Sequence, residues 1–296
     1  PGRKNYVRQT KITKQYYNFL RQTYKSTMNQ SIEILIFLGI ISFLVGLLGG
    51  FVGLALGTIR LPIMLLIGIN PKIAAGTNIL VSSLSSFLGS LQHLKNKRVD
   101  IRVVLILGIP ACIGAFFGGF LSSVAPENLL LIFAGLLVAW QGYEFIELGR
   151  KKSGNTMSDI FGSHLENSNG QFTSTRITLE SLAGLSIGLL GGSVGLILGS
   201  IRLPAIIYIL QIDPRKAAGS NLFIGFFIGI MGWIGHAYLK QVNYSLLLTM
   251  GLTGMVGSYI GAMFTGKVSL NKFVLILGIV LFIVGILLLI RPFTGD

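Results

Sequence analysis

The sequence predicts an all-α, polytopic membrane protein: two homologous halves of about four transmembrane helices each, with glycine-rich broken or re-entrant segments. Three observations lead there. Of 296 residues, 52% are hydrophobic and only 11% are charged, too few charges to cover a soluble surface. Apolar stretches near the spanning length of about 20 residues recur along almost the whole chain. One stretch is also written twice. Gly46 to Asn78 reads GLLGGFVGLALGTIRLPIMLLIGINPKIAAGTN, and Gly188 to Asn221 reads GLLGGSVGLILGSIRLPAIIYILQIDPRKAAGSN. Period-2 alternation is missing, which argues against a transmembrane barrel.

The formal charge of +14 does not indicate a nucleic-acid partner, because the basic residues flank the apolar runs as the positive-inside rule expects. Cys112 is the only cysteine, so an intrachain disulfide and a cysteine-based metal cluster are excluded. No cleavable signal peptide is read ahead of the first apolar run.

Taken in order, the chain divides into five parts. Residues 1–30 form a basic tail with Arg3, Lys4, Arg8, Lys11, Lys14, Arg21 and Lys25 among tyrosines and no acid. This fits a cytoplasmic amphipathic segment lying on anionic lipid, and a positive-inside topology signal is by itself enough to account for it. Residues 31–148 are the first transmembrane repeat. Its opening, Ile32 to Ile69, is too long for one span; the glycines at its centre and Pro62 predict a spanning helix, a break and a short re-entrant helix. Spans follow at Ile73–Leu94, Ile101–Leu121 and Leu129–Leu148. Residues 149–177, rich in Ser, Asn, Gly and Thr, read as a cytoplasmic linker. Residues 178–291 repeat the pattern, and 292–296 are a C-terminal tail.

Loop charges place Lys95–Arg98 and Arg150–Lys152 inside and Ser122–Asn128 outside. With a cytoplasmic N-terminus, four crossings per half satisfy these loops and make the repeats parallel. If each apolar opening crosses twice, the repeats are inverted instead. The charge bias favours the parallel arrangement, with both termini and the linker in the cytoplasm of a multi-pass cell-membrane protein.

The candidate site residues lie in the doubled stretch. Arg60 and Arg202 each precede a proline by two residues and follow a hydroxyl, Thr58 or Ser200, by two. Snorkelling to the interface is the structural alternative. Guanidinium and hydroxyl donors together suit an oxyanion, whereas Glu33, Glu144, Glu147, Glu180 and Asp213 all sit near predicted span ends. Thr77 with Asn78, and Ser220 with Asn221, open the helix after each break, either as caps or as ligand contacts. His93 and His236 lie near the end of the second span of each half, where a gating or proton-relay role competes with that of an interfacial histidine. No catalytic triad, metal-spaced cluster or phosphate loop is present. Neither an enzyme nor a bound cofactor or metal is expected.

At these residues the chain resembles the sulfite exporter (TauE/SafE) family of membrane permeases. The resemblance rests on residues 71–123, with AAGTN, His93 and Val99-Asp100, and on the looser second copy with AAGSN, His236 and Val242-Asn243. It covers nearly all of 32–291. It implies a carrier of sulfur-containing or organic anions such as sulfite or sulfonates. The expected function is therefore a secondary transporter of a small anion, with a passive anion channel or a non-transporting scaffold as alternatives. A homo-oligomer is left open.

Overall fold

The computed structural model describes residues 31–150, 173–208, 210, 212–264 and 271–294. The basic tail of 1–30 and linker residues 151–172 lie outside the described residues. Ten helical elements are described and no strand is present among them. They are α1 (Ile32–Val52), α2 (Gly57–Leu66), α3 (Pro71–Lys95), α4 (Ile101–Leu121), α5 (Glu127–Arg150), α6 (Ser174–Val194), α7 (Gly199–Tyr208), α8 (Pro214–Tyr238), α9 (Tyr244–Met263) and α10 (Asn271–Thr294). Eight of them are long and apolar enough to cross a membrane. Helices α2 and α7 have 10 residues each, or about 15 Å at 1.5 Å per residue. That is about half of a 30 Å hydrocarbon core.

Local chemistry sets the breaks. Helix α1 ends at Gly53 (φ 79°), whose N–H bonds to the Gly49 carbonyl; α6 ends the same way at Gly195 (φ 78°) on Gly191. A methyl at Gly53 would lie 2.6 Å from the Ala218 Cβ, and one at Gly195 would lie 2.2 Å from the Ala75 Cα. Positive φ and close approach together leave room only for glycine. Asn70 caps α3, accepting from the Lys72 N–H at 3.0 Å ahead of Pro71 at the first helical position. Asp100 and Asn243 cap α4 and α9.

Helices from different halves pack together. Helix α1 lies against α9, with Gly46 on Gly254 and Gly50 on Ser258, so the two run parallel. Helix α6 lies parallel against α4 in the same manner, with Gly188 on Ala111 and Gly192 on Ala115. At the centre α3 and α8 are antiparallel, because Gly76 meets His236 while Gly219 meets His93. Helices α5 and α10 are antiparallel too, Gly135 meeting Leu289 and Gly149 meeting Leu275.

These directions fix the path of the chain. From one end of the bundle, the first face, α1 runs toward the second face and α2 returns. Helix α3 then descends, α4 returns and α5 descends, so that Arg150 lies at the second face. The second half starts there and runs the opposite way, ending α10 at the first face, where Arg291 donates to the Leu65 carbonyl. Bonds within the first face agree: Lys72 Nζ reaches the Ser123 carbonyl at 3.1 Å and Asn70 reaches Glu127 at 2.9 Å.

This corrects the parallel arrangement. The halves are inverted, and the start of α1 and the end of α10 lie opposite the two borders of the linker. The described ends of the chain therefore do not share a face with Arg150 and Ser174, contrary to the parallel arrangement. The half-length helices provide the return that loop charge alone does not reveal. Helix α6 begins at Ser174, ahead of the expected start of the second repeat at 178, and α10 continues through Pro292 to Thr294.

Candidate binding site at the crossing of two broken helices

Inversion brings the two breaks, residues 53–56 and 195–198, past each other inside the bundle. A methyl at Gly199 would lie 3.4 Å from the Ala55 nitrogen. Two asparagines tie the crossing together. The Asn78 side-chain amide donates to the Gly57 carbonyl at 3.1 Å and to the Gly195 carbonyl at 2.9 Å. Asn221 mirrors it on Gly199 at 3.0 Å and Gly53 at 3.4 Å. Each asparagine thus satisfies one carbonyl from each half, at points where a broken helix exposes backbone polar groups. Asn78 lies in the body of α3 rather than at its start, so the capping alternative does not hold for it.

Both arginines are fully buried (Arg60 1%, Arg202 0% exposed). Arg60 Nη1 donates to Ser42 at 3.0 Å and to Ser85 at 3.3 Å, and Nη2 donates to Ser82 at 3.2 Å. Its Nε has no partner. Arg202 donates from Nε to Asn221 Oδ1 at 3.1 Å and from Nη2 to the Asn221 carbonyl at 3.2 Å, leaving Nη1 unpartnered. Snorkelling is excluded by this burial. Among the described residues neither guanidinium is bonded to a carboxylate, although a buried charge without a counter-charge costs several kcal/mol.

The two arginines share a neighbourhood on α3. Ser82 and Ser85 hold Arg60, and Ser86 begins the next turn. A methyl at Gly225 would lie 3.4 Å from Ser86 Oγ and 3.5 Å from Arg202 Nη2. Thr58 Oγ1, Asn78 Oδ1 and Ser86 Oγ are buried without partners, as are the free arginine nitrogens. Ser200 is buried beside Arg202 in sequence. The arrangement offers an excess of donors and positive charge to a group with several acceptor oxygens.

Other expected site residues lie elsewhere. Thr77 Oγ1 accepts from the Asn243 N–H at 2.9 Å at the first face, and Ser220 Oγ accepts from the Asp100 N–H at 2.8 Å at the second. Both therefore anchor the starts of α9 and α4, and neither joins the arginines. The histidines sit at opposite faces, not one. His236 Nε2 donates to the Gly192 carbonyl at 2.8 Å, and Nδ1 lies 2.8 Å from the Gln241 amide and 3.3 Å from Ser122 Oγ. His93 is as buried, yet neither ring nitrogen has a partner. Among the described residues no group of three His, Cys, Asp or Glu could hold a metal ion.

Sequence reasoning missed Ser42, Ser82 and Ser85. The signal was present in the run SSLSS at 82–86, whose i, i+3, i+4 spacing puts hydroxyls on one helix face.

Comparison with known proteins places the chain in a family. The profile described as Sulfite exporter TauE/SafE matches residues 38–288. The probable membrane transporter protein YunE of Bacillus subtilis (strain 168) is 24% identical over 265 residues, covering 86% of this chain and 96% of its own. YdhB, a probable membrane transporter protein of the same organism, is 28% identical over 228 residues, covering 76% and 88%. A probable membrane transporter protein of Xylella fastidiosa (strain Temecula1) is 25% identical over 262 residues, covering 87% and 94%. No solved structure matches the chain significantly. The protein belongs to the sulfite exporter TauE/SafE family of membrane transporters.

Proposed function

We propose that this protein is a secondary transporter of a small anion in the cell membrane, and that the anion is a sulfur oxyanion or sulfonate held between Arg60 and Arg202. The observation that carries the reading is the pair of buried guanidinium groups with no carboxylate partner. An anion would supply the missing counter-charge, and the unpartnered Arg60 Nε and Arg202 Nη1 would donate to its oxygens. Inverted halves that meet at a central site are the arrangement through which a carrier alternates its access. A passive channel would need a continuous path instead, and the crossing is filled by buried Leu54, Leu56, Leu196 and Leu198.

Among the described residues the second face carries Lys95, Lys97, Arg98, Arg102, Arg150 and Lys216, against Lys72, Lys240 and Arg291 at the first, so on these charges this reading makes the second face the cytoplasmic one. The test is uptake by purified protein in liposomes, across a panel of sulfite, sulfate, ethanesulfonate and small carboxylates. Arg60→Lys keeps the charge but loses the planar fork, so it should weaken binding of the transported anion about 5- to 150-fold, or 1–3 kcal/mol. Absence of flux for every member of the panel, or wild-type affinity in Arg60→Lys, would overturn the assignment.

A further inference from the structure

The two halves differ at one buried position in a way that anion binding does not use. Helices α1 and α6 correspond residue for residue at an offset of 142, so Leu38 corresponds to Glu180. Both side chains are 0% exposed. In the first half, Ser42 bonds to the Met250 carbonyl and Gly46 meets Gly254, which carries the register back one turn to set Leu38 opposite buried Leu246. In the second half, Gly188 meets Ala111 and Gly184 meets Leu107, which sets Glu180 opposite buried Val103. The surroundings are alike and apolar, but one side chain is a carboxylic acid. Neither of its oxygens has a hydrogen-bond partner.

A second asymmetry falls at the same place. Helix α4 contains a π-helical segment over Val104–Gly108, whereas α9 is regular along its length. Ser181, the residue after Glu180, donates at 3.1 Å to the Ile106 carbonyl inside that segment. Such wide turns are an interruption of regular helix that recurs at functional sites. The interruption and the acid therefore coincide on one helix pair and are both missing from its inverted counterpart.

We infer that Glu180 is a proton-binding site through which anion movement is coupled to a proton gradient, the coupling resting on the transporter reading above. A lone carboxylate in an apolar contact carries a charge that a proton or another cation must neutralise. A metal cation is a poor fit, because it needs several oxygen ligands and the adjacent Ile106 carbonyl is taken by Ser181. Among the described residues no charged group is bonded to the acid. Its helix carries Arg176 one turn earlier, and at the second face α4 brings Asp100 and Arg102 while α3 brings His93 and Lys95. Helix α5 brings Glu144, Glu147 and Arg150, α8 brings Lys216, and α7 carries Arg202. Gain of a proton leaves α6 neutral on α4; loss of it places a charge between two closely packed helices, so the proton biases how that pair sits.

The experiment uses full-length protein in liposomes and has two arms. Infrared difference spectra between high and low pH should show a carboxylic C=O band that disappears in Glu180→Gln and in Glu180→Leu. The leucine variant copies the residue of the first half and so guards against misfolding. An unchanged band in both folded variants overturns the proton site. In the transport arm, ethanesulfonate is the probe, since its strong parent acid brings no proton of its own. The wild type should accumulate it under a proton gradient but not under a sodium gradient. Glu180→Gln should lose the accumulation while keeping exchange of ethanesulfonate for ethanesulfonate. Sodium-driven uptake, or proton-driven uptake that survives in Glu180→Gln, overturns the inference. Absence of flux with ethanesulfonate and with the rest of the panel overturns the transporter reading and the coupling with it, while the infrared arm still decides whether Glu180 binds the proton.

Discussion

Arg60 and Arg202 occupy matching positions in two inverted halves, yet their surroundings differ. Arg60 is ringed by the hydroxyls of Ser42, Ser82 and Ser85, drawn from α1 and α3. At the corresponding positions around Arg202 stand Gly184, Gly225 and Ile228, and among the described residues its donors go to Asn221. The repeat thus preserves charge and break while allowing the lining to diverge. Hydroxyls can both hold a guanidinium and turn to an incoming oxyanion, whereas glycine and isoleucine can do neither. The difference teaches that the repeat fixes where each cation sits on its own broken helix, and the individual halves decide what each cation can share with a ligand.

The largest effects should come from the helix breaks. Gly53→Ala and Gly195→Ala both force a side chain into left-handed backbone and into a neighbour. At Gly53 the obstacle is the Ala218 methyl, but at Gly195 it is the Ala75 backbone itself, with its Cα at 2.2 Å and its oxygen at 2.3 Å. Left-handed backbone costs about 1–2 kcal/mol and overpacking about 1–3 kcal/mol more. Thermal unfolding in detergent should show both variants destabilised, Gly195→Ala more than Gly53→Ala. The reverse order would mean that the two breaks are not packed as described.

The arginines come next. If they grip one anion, Arg60→Ala and Arg202→Ala should each weaken binding, and the double variant should lose less than the sum of the two, by about 0.5–3 kcal/mol of coupling. Strict additivity would separate them into independent sites. Smaller still is the contrast between the histidines. His236 joins Ser122, Gln241 and Gly192, so His236→Ala should cost about 1–3 kcal/mol by stranding buried partners. His93 has no such partners, and His93→Leu should unfold close to the wild-type temperature.

Much of the fold was legible because membrane physics is written in composition. Long apolar runs marked the spans, and the glycines at 46–57 with Pro62 marked a break followed by a short helix. Arg60 and Arg202 stood out because charge within an apolar run needs a reason. What stayed hidden depended on contacts between halves. Thr77 and Ser220 look like partners of the neighbouring asparagines, but successive helical residues point about 100° apart, and both turn to loops instead. Glu180 read as a span-end acid because helix α6 begins four residues before the predicted boundary at 178, which leaves it buried. Orientation was misread for a similar reason: α2 and α7 are too short to count as spans, yet each reverses the chain.

The central claim is that reversal, and side-specific labelling tests it most directly. Glu33 is exposed at the start of α1 and Thr173 is exposed just before α6. In a Cys112→Ala background, Glu33→Cys and Thr173→Cys would be treated, one at a time, with a membrane-impermeant thiol reagent in intact cells and in inverted vesicles. Inverted halves predict that the two positions react from opposite sides, each in the preparation where the other is protected. Reaction of both from the same side would restore the parallel arrangement of four crossings per half and contradict the shared site.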